Sequence, residues 1–128
     1  MARILVVDDQ AFARAAAMLA LRSHGFDAVG LDNGASALQA FRESSFDLAI
    51  VDVYMPGMDG VQLIKALRQL APRLPIIAVS GTALHQSKRT ALDYFENLPA
   101  LATVTRLQKP YRPPELIAAI QAATALAA

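Results

Sequence analysis

The sequence predicts a doubly wound α/β fold, five parallel strands in the order 2-1-3-4-5 with helices on both faces. Three features lead there. Short, continuously apolar runs recur along the chain, and such runs suit strands covered on both sides. Segments with apolar residues at helical spacing separate them. Each run also halts abruptly at a polar residue, which gathers polar groups at one end of the sheet. A single domain over residues 1–128 is expected, because a chain of that length buries about two-thirds of its unfolded surface.

ILVV, Ile4 to Val7, is the first strand and stops at Asp8-Asp9. Phe12, Ala16, Leu19 and Ala20 then recur at helical spacing, and His24-Gly25 closes that helix. DAVGL, Asp27 to Leu31, is a weaker strand suited to an edge. Asp32 or Asn33 can cap a second helix that turns Ala37, Leu38 and Phe41 inward. DLAIV brings the third strand to Asp52, and Met58-Asp59-Gly60 is a turn opening a third helix. That helix carries Val61, Ile64, Leu67 and Leu70, and Pro72 and Pro75 end it. PIIAV runs to Ser80 as the fourth strand. His85 to Leu98 reads as a fourth helix with Leu92 and Phe95 inward, broken at Pro99 before the fifth strand, ATVTRL. A last helix bears Leu116, Ile117, Ile120 and Leu126, in an alanine-rich tail that is a strong helix former.

Twelve Lys plus Arg against eleven Asp plus Glu leave a formal charge of +1, with the basic residues scattered. On that balance neither nucleic acid nor an anionic membrane is expected as a partner. The lack of cysteine removes disulfides, thiolate chemistry and cysteine metal sites. The apolar run in MARILVVDD is too short for a signal-peptide core, and AAAMLAL, Ala15 to Leu21, is far below spanning length. A soluble, cytoplasmic protein is the expectation.

Asp8 and Asp9 end the first strand, Asp52 the third, Ser80 the fourth and Lys109 the fifth. All fall on the carboxyl-end rim, where doubly wound sheets hold ligands. Singly, each has an ordinary explanation as a turn, a cap or a solvated charge. Their joint placement at four strand ends favours a site. Carboxylates drawn together there repel one another, by roughly a few kcal/mol per pair at intermediate dielectric, unless a cation offsets them. Oxygen ligands without His or Cys describe a hard cation, Mg²⁺, with Mn²⁺ as a substitute. A hard cation, a lysine and a hydroxyl on one rim are the parts that phosphoryl transfer requires. Asp52 is the better nucleophile, since it stands alone on the central strand while Asp8 and Asp9 can share the metal. His24, His85, Met18, Met55 and Met58 are read as structural.

DD at Asp8-Asp9, DVYMPGMDG from Asp52 to Gly60, SG at Ser80-Gly81 and KP at Lys109-Pro110 together resemble the receiver domain of two-component response regulators, over the whole chain and in its single-domain form. The resemblance implies a flavodoxin-like receiver fold in which a sensor histidine kinase, or a histidine phosphotransfer protein, exchanges a phosphoryl group with Asp52. It implies Mg²⁺ held by Asp9, Asp52 and the backbone carbonyl of Tyr54, with Asp8 acting through a water. Ser80 would turn toward the phosphoryl oxygens and Lys109 would pair with them, next to a cis peptide at Lys109-Pro110. Self-phosphorylation from a phosphodonor and slow autodephosphorylation would follow, with no separate turnover substrate.

Two departures from the family pattern stand out. Between Ser80 and Lys109 lie 28 residues, more than the family's usual connection, and ENLPALATV replaces its Gly-Ala turn. Arg106 occupies the place of the aromatic that swings inward on phosphorylation. An arginine stem can cover an apolar slot, but its guanidinium stays wet. The expected output is therefore a protein target met by the face of the fourth predicted helix, the fifth strand and the last helix near Arg106, with homodimer formation left open.

Three classes of function compete. A phosphoacceptor switch, either a diffusible effector or a phosphorelay intermediate, accounts for every rim residue. A non-phosphorylated interaction module would lack at least one of Asp9, Asp52, Ser80 and Lys109, and all are present. A small doubly wound enzyme or a flavin or nucleotide carrier would want a glycine-rich loop after the first strand, and DDQAFAR has none.

Overall fold

Runs rich in β-branched residues and apolar on both faces pair as buried parallel strands, and a parallel partner demands a crossover helix between them. The computed structural model, which describes residues 2–55, 60–80 and 104–127, follows that logic. Its elements are β1 (Arg3–Val7), α1 (Ala11–Ser23), β2 (Asp27–Leu31), α2 (Gly34–Glu43), β3 (Leu48–Asp52), α3 (Gly60–Leu70), β4 (Ile76–Ser80), β5 (Thr105–Gln108) and α4 (Pro113–Ala127). The strands form one sheet in the order β2-β1-β3-β4-β5, and every pairing is parallel. DAVGL is the edge strand expected of it. The fourth helix anticipated over His85–Leu98 and the Met58-Asp59 turn lie outside the described residues.

Alternation along the strands divides the core into two layers. Leu5, Val7, Ala49, Val51, Ile76 and Ala78 pack with Ala37 and Leu38 of α2 and Leu63, Ile64 and Leu67 of α3. Ile4, Val6, Ile50, Ile77 and Val79 pack with Ala17 and Leu21 of α1 and Leu116 and Ile120 of α4. Every residue of β3 and β4 is buried, so these two interior strands are fixed from both faces. Their last residues, Asp52 and Ser80, are consequently held on a rigid base.

The helix ends obey local chemistry. Asn33 caps α2 by accepting the Ser36 N–H at 2.8 Å. Gly25 follows α1 with φ at 86°, a left-handed turn that glycine adopts without strain. His24 Nδ1 lies 3.0 Å from the Ala20 carbonyl, in keeping with its structural reading. No helix among the described residues is long and apolar enough to cross a membrane.

Two inward faces differ from expectation. In α1, Phe12 is 93 % and Leu19 72 % exposed, and Ala16 also faces out, while Ala17, Ala20 and Leu21 are buried. AFARAAAMLAL is apolar nearly all round, so spacing alone cannot choose between two stripes. Where α1 packs on β2, a Cβ on Gly30 would collide with Met18 Sδ and crowd Arg14 Cγ at 3.2 Å. In α3, Leu70 is about half exposed because the helix ends there, and Leu63 and Leu74 fill the core instead.

Arg106 is half-buried in β5, in register with Ala78 and on the same sheet face as Val104. The peptide before Pro110 is cis, as the resemblance implies.

Candidate functional site

The carboxyl ends of β1, β3, β4 and β5 converge on one rim. Asp8 continues β1, its N–H donating to the Leu31 carbonyl at 3.0 Å. Arg14 Nη1 donates to the Asp8 carbonyl at 2.8 Å, and the Gln10 N–H donates to Asp8 Oδ1 at 2.9 Å. Asp8 is thus buried and pinned at backbone and side chain, whereas Asp9 beside it is exposed.

Asp52 ends β3 and is 5 % exposed. Its Oδ1 accepts the Tyr54 N–H at 3.1 Å, so the chain turns back on the carboxylate two residues later. The Val53 N–H donates to the Val79 carbonyl at 2.8 Å, and the Gly60 N–H donates to the Val53 carbonyl at 3.0 Å. A side chain at position 60 would run into the Asp52 carbonyl and place a Cβ 2.5 Å from Val53 Cα. Glycine there lets the first turn of α3 rest directly on the backbone that carries Asp52. The Tyr54 side chain is exposed.

Ser80 is buried at the end of β4, and its carbonyl accepts the Lys109 N–H at 2.7 Å. That bond extends the β4–β5 pairing by a residue and sets the lysine over the rim. Lys109 Nζ then donates to Asp8 Oδ2 at 2.6 Å, Asp52 Oδ2 at 3.3 Å and Gln10 Oε1 at 3.4 Å. Its side chain is 13 % exposed.

Among the described residues, Asp8, Asp9 and Asp52 each bring a carboxylate oxygen within 4.8 Å of the other two. Among these residues the Lys109 ammonium pairs with Asp8 and Asp52 while Asp9 adds a third carboxylate nearby, an excess of negative charge. Burial pushes the Asp52 carboxyl up to about 6; the Tyr54 N–H and the Lys109 charge oppose that shift, and Asp8 adds to it. Burial draws the Lys109 ammonium down, but its hydrogen bond to Asp8 and the charges of Asp52 and Asp8 outweigh this, so its pKa lies above the usual lysine value. Burial likewise raises the nearby Tyr111 phenol. Oxygen donors alone, grouped this closely with charge to spare, fit a hard divalent cation.

The structure therefore brings together Asp8, Asp9, Asp52 and Lys109, with Ser80 at the adjoining strand end and Tyr54 hydrogen-bonded to Asp52. Sequence reasoning missed Gln10 and Arg14 and read Gly60 only as a turn residue. Gln10 left one signal, being a residue that seldom caps helices at a position where a cap belongs.

The response regulator receiver domain family matches this chain over residues 4–121. The DNA-binding response regulator MtrA of Mycobacterium tuberculosis (strain H37Rv) is 34 % identical over 120 residues, covering 94 % of this chain and 49 % of the relative. The autoinducer 1 sensor kinase/phosphatase LuxN of Vibrio harveyi is 33 % identical over 107 residues, 84 % of this chain and 12 % of the relative. The chain thus spans about half, or far less, of the length of these curated relatives. Among solved structures, the chemotaxis protein CheY4 of Vibrio cholerae superposes with a TM-score of 0.82 at 28 % identity, covering 94 % of this chain and 97 % of that one. A sensor protein from Polaromonas sp. JS666 does so with a TM-score of 0.82 at 29 % identity, covering 99 % and 98 %. A match of that extent, in sequence and in fold alike, makes this chain a member of the response regulator receiver domain family of two-component systems.

Proposed function

We propose that this chain is a phosphoacceptor switch in which Asp52 receives a phosphoryl group from a histidine kinase. The observation that carries the reading is the position of Lys109, whose ammonium reaches both Asp8 and Asp52 across the rim. A phosphoryl group on Asp52 would meet a cation already in place.

In the transfer, a carboxylate oxygen of Asp52 bonds to phosphorus while the bond from phosphorus to the donor breaks, and that bond's electron pair leaves with the donor. The reset reverses the connectivity with water: its oxygen bonds to phosphorus, the electron pair returns to the Asp52 carboxylate, and the water proton leaves with the released phosphate. Lys109 offsets charge on the moving oxygens, and the Ser80 hydroxyl donates a hydrogen bond to one of them. Asp9, Asp52 and the Tyr54 carbonyl would hold Mg²⁺, with Asp8 acting through a water; the ion supplies charge neutralisation at the phosphoryl oxygens.

Output passes to a protein partner, with Arg106 meeting an acidic group on it. Replacing Arg106 with Ala should weaken partner binding with or without a phosphoryl mimic, and affinity unchanged from wild type in both states would sink that assignment. The similarity to a short segment of a sensor kinase/phosphatase favours a relay role as the second reading.

Incubation with acetyl phosphate and Mg²⁺ followed by intact-mass measurement tests the main reading. The chain should gain one phosphoryl group and Asp52→Asn should gain none. A wild-type chain that gains nothing at any donor concentration favours a non-phosphorylated interaction module.

A further inference from the structure

Lys109 is held by more than the acidic rim. An ammonium has three N–H groups, and among the described residues three oxygens lie within reach of this one: Asp8 Oδ2 at 2.6 Å, Asp52 Oδ2 at 3.3 Å and Gln10 Oε1 at 3.4 Å. Gln10 touches the cluster a second time through its backbone N–H, which donates to Asp8 Oδ1 at 2.9 Å. The three residues close a ring: Gln10 N–H to one Asp8 oxygen, the other Asp8 oxygen to the ammonium, and the ammonium back to the Gln10 amide. Gln10 and Lys109 are 99 residues apart in sequence.

Gln10 is the N-cap of α1, with extended backbone at φ −87° and ψ 115°, yet its side chain makes no capping hydrogen bond. Ser, Thr, Asp and Asn are favoured at that position because a short side-chain oxygen reaches the free N–H groups of the first turn. Asn33 does this for α2. At α1 the longer amide is turned to Lys109 instead, and the helix start goes without a side-chain cap.

We propose that Gln10 is a positioning residue for Lys109, a neutral tether that keeps the ammonium between Asp8 and Asp52, where it meets a phosphoryl group arriving on Asp52. The inference rests on the phosphoacceptor reading and deepens it. The shortest contact of the ammonium is its charge-assisted bond to Asp8, and without the amide that bond draws it away from Asp52. The amide is also the weakest of the three acceptors, being uncharged. Lys109 can therefore exchange it for a phosphoryl oxygen and keep Asp8. Gln10 itself forms and breaks no covalent bond in the transfer.

Gln10→Ser separates tether from cap, because a serine hydroxyl can cap α1 but cannot reach Lys109. Phosphorylation by acetyl phosphate with Mg²⁺ is followed by intact mass, alongside thermal unfolding, in the wild-type and Lys109→Ala backgrounds. Gln10→Ser is expected to keep or raise the unfolding midpoint and to lower the second-order rate constant about fivefold, the factor carried by one net hydrogen bond. In Lys109→Ala the same change is expected to have no effect, since nothing is left to hold. An unchanged or faster rate in Gln10→Ser, or a fivefold loss that persists without Lys109, overturns the inference alone. A wild-type chain that takes up no phosphoryl group overturns the phosphoacceptor reading, and this one with it.

Discussion

Lys109 Nζ lies 2.6 Å from Asp8 Oδ2, closer than it lies to Asp52, and the two residues are 101 positions apart. The pair ties the end of β5 to the end of β1 across two intervening strands. Both side chains are mostly buried, so removing the lysine takes away the ammonium that pairs with both carboxylates among the described residues. Lys109→Ala should cost roughly 3 kcal/mol at neutral pH in the metal-free protein, as breaking a buried pair does, and urea denaturation in a chelator measures it. Asp52 in this variant should still accept phosphate slowly, but partner binding should no longer respond, because the ammonium links the phosphoryl group to β5. Phospho-dependent binding equal to wild type would rule out that coupling.

Asp52 gives the stability a pH dependence whose sign is fixed. Its carboxyl rises from 3.8 to about 6 on folding, driven first by burial. The folded state therefore holds that proton more tightly than the unfolded state, and stability is lost as pH climbs from the lower value through the higher one. Above about 6 the whole cost is present, on the order of 2 to 3 kcal/mol for a side chain this buried. Asp52→Asn should consequently be more stable than wild type at about pH 7.5 in a chelator, and the gap should close near pH 4. Chemical denaturation at the two pH values checks it, and a gap that widens on acidification would contradict the assignment.

The strands and the rim were legible in the sequence because they depend on local pattern. ILVV, DLAIV and PIIAV end where their apolar runs end, and a parallel sheet then brings those ends to one side whatever the helices do. Asp8, Asp52 and Lys109 meet for that reason. The inward face of α1 was not legible, since a helix apolar on all sides carries no phase, and packing against other elements chooses it. Gln10 was missed for a related cause: its contact spans 99 residues, and only its poor fit as a cap hinted at another use. Gly60 was read as a turn residue, whereas the close approach of α3 to the Asp52 backbone is what demands it.

Thr105 offers a test of the core that leaves the rim alone. Its Oγ1 is buried with no hydrogen-bond partner among the described residues, on the sheet face that also carries its register partner Ile77. A buried hydroxyl without a partner costs about 1 to 3 kcal/mol, and an apolar side chain of the same shape removes that cost. Thr105→Val should raise stability by about 1 kcal/mol and leave phosphorylation by acetyl phosphate unchanged. Thermal or urea unfolding reads the first effect and intact mass the second; a destabilised variant would mean that the hydroxyl has a partner.

Phe12 and Leu19 are the most exposed large apolar side chains among the described residues. They stand seven positions apart, two turns of α1, and with Ala15 and Ala16 they make one apolar stripe whose near end is three residues from Asp9. Neither side chain supports the core, so Phe12→Ala and Leu19→Ala should each shift stability by less than about 0.5 kcal/mol. A protein phosphodonor, in contrast, has to hold its phosphohistidine over Asp52 while resting on the surface beside the rim, and among the described residues this stripe is exposed apolar ground there. Under the proposed function, the double variant should lose at least about tenfold in phosphotransfer from a kinase, the equivalent of about 1.4 kcal/mol of binding. Its rate with acetyl phosphate should stay at the wild-type value, because a small donor needs no docking surface. Comparing the two donors on one preparation makes the test: equal losses with both would place the defect in the rim, and no loss with either would leave the stripe without a part in phosphotransfer.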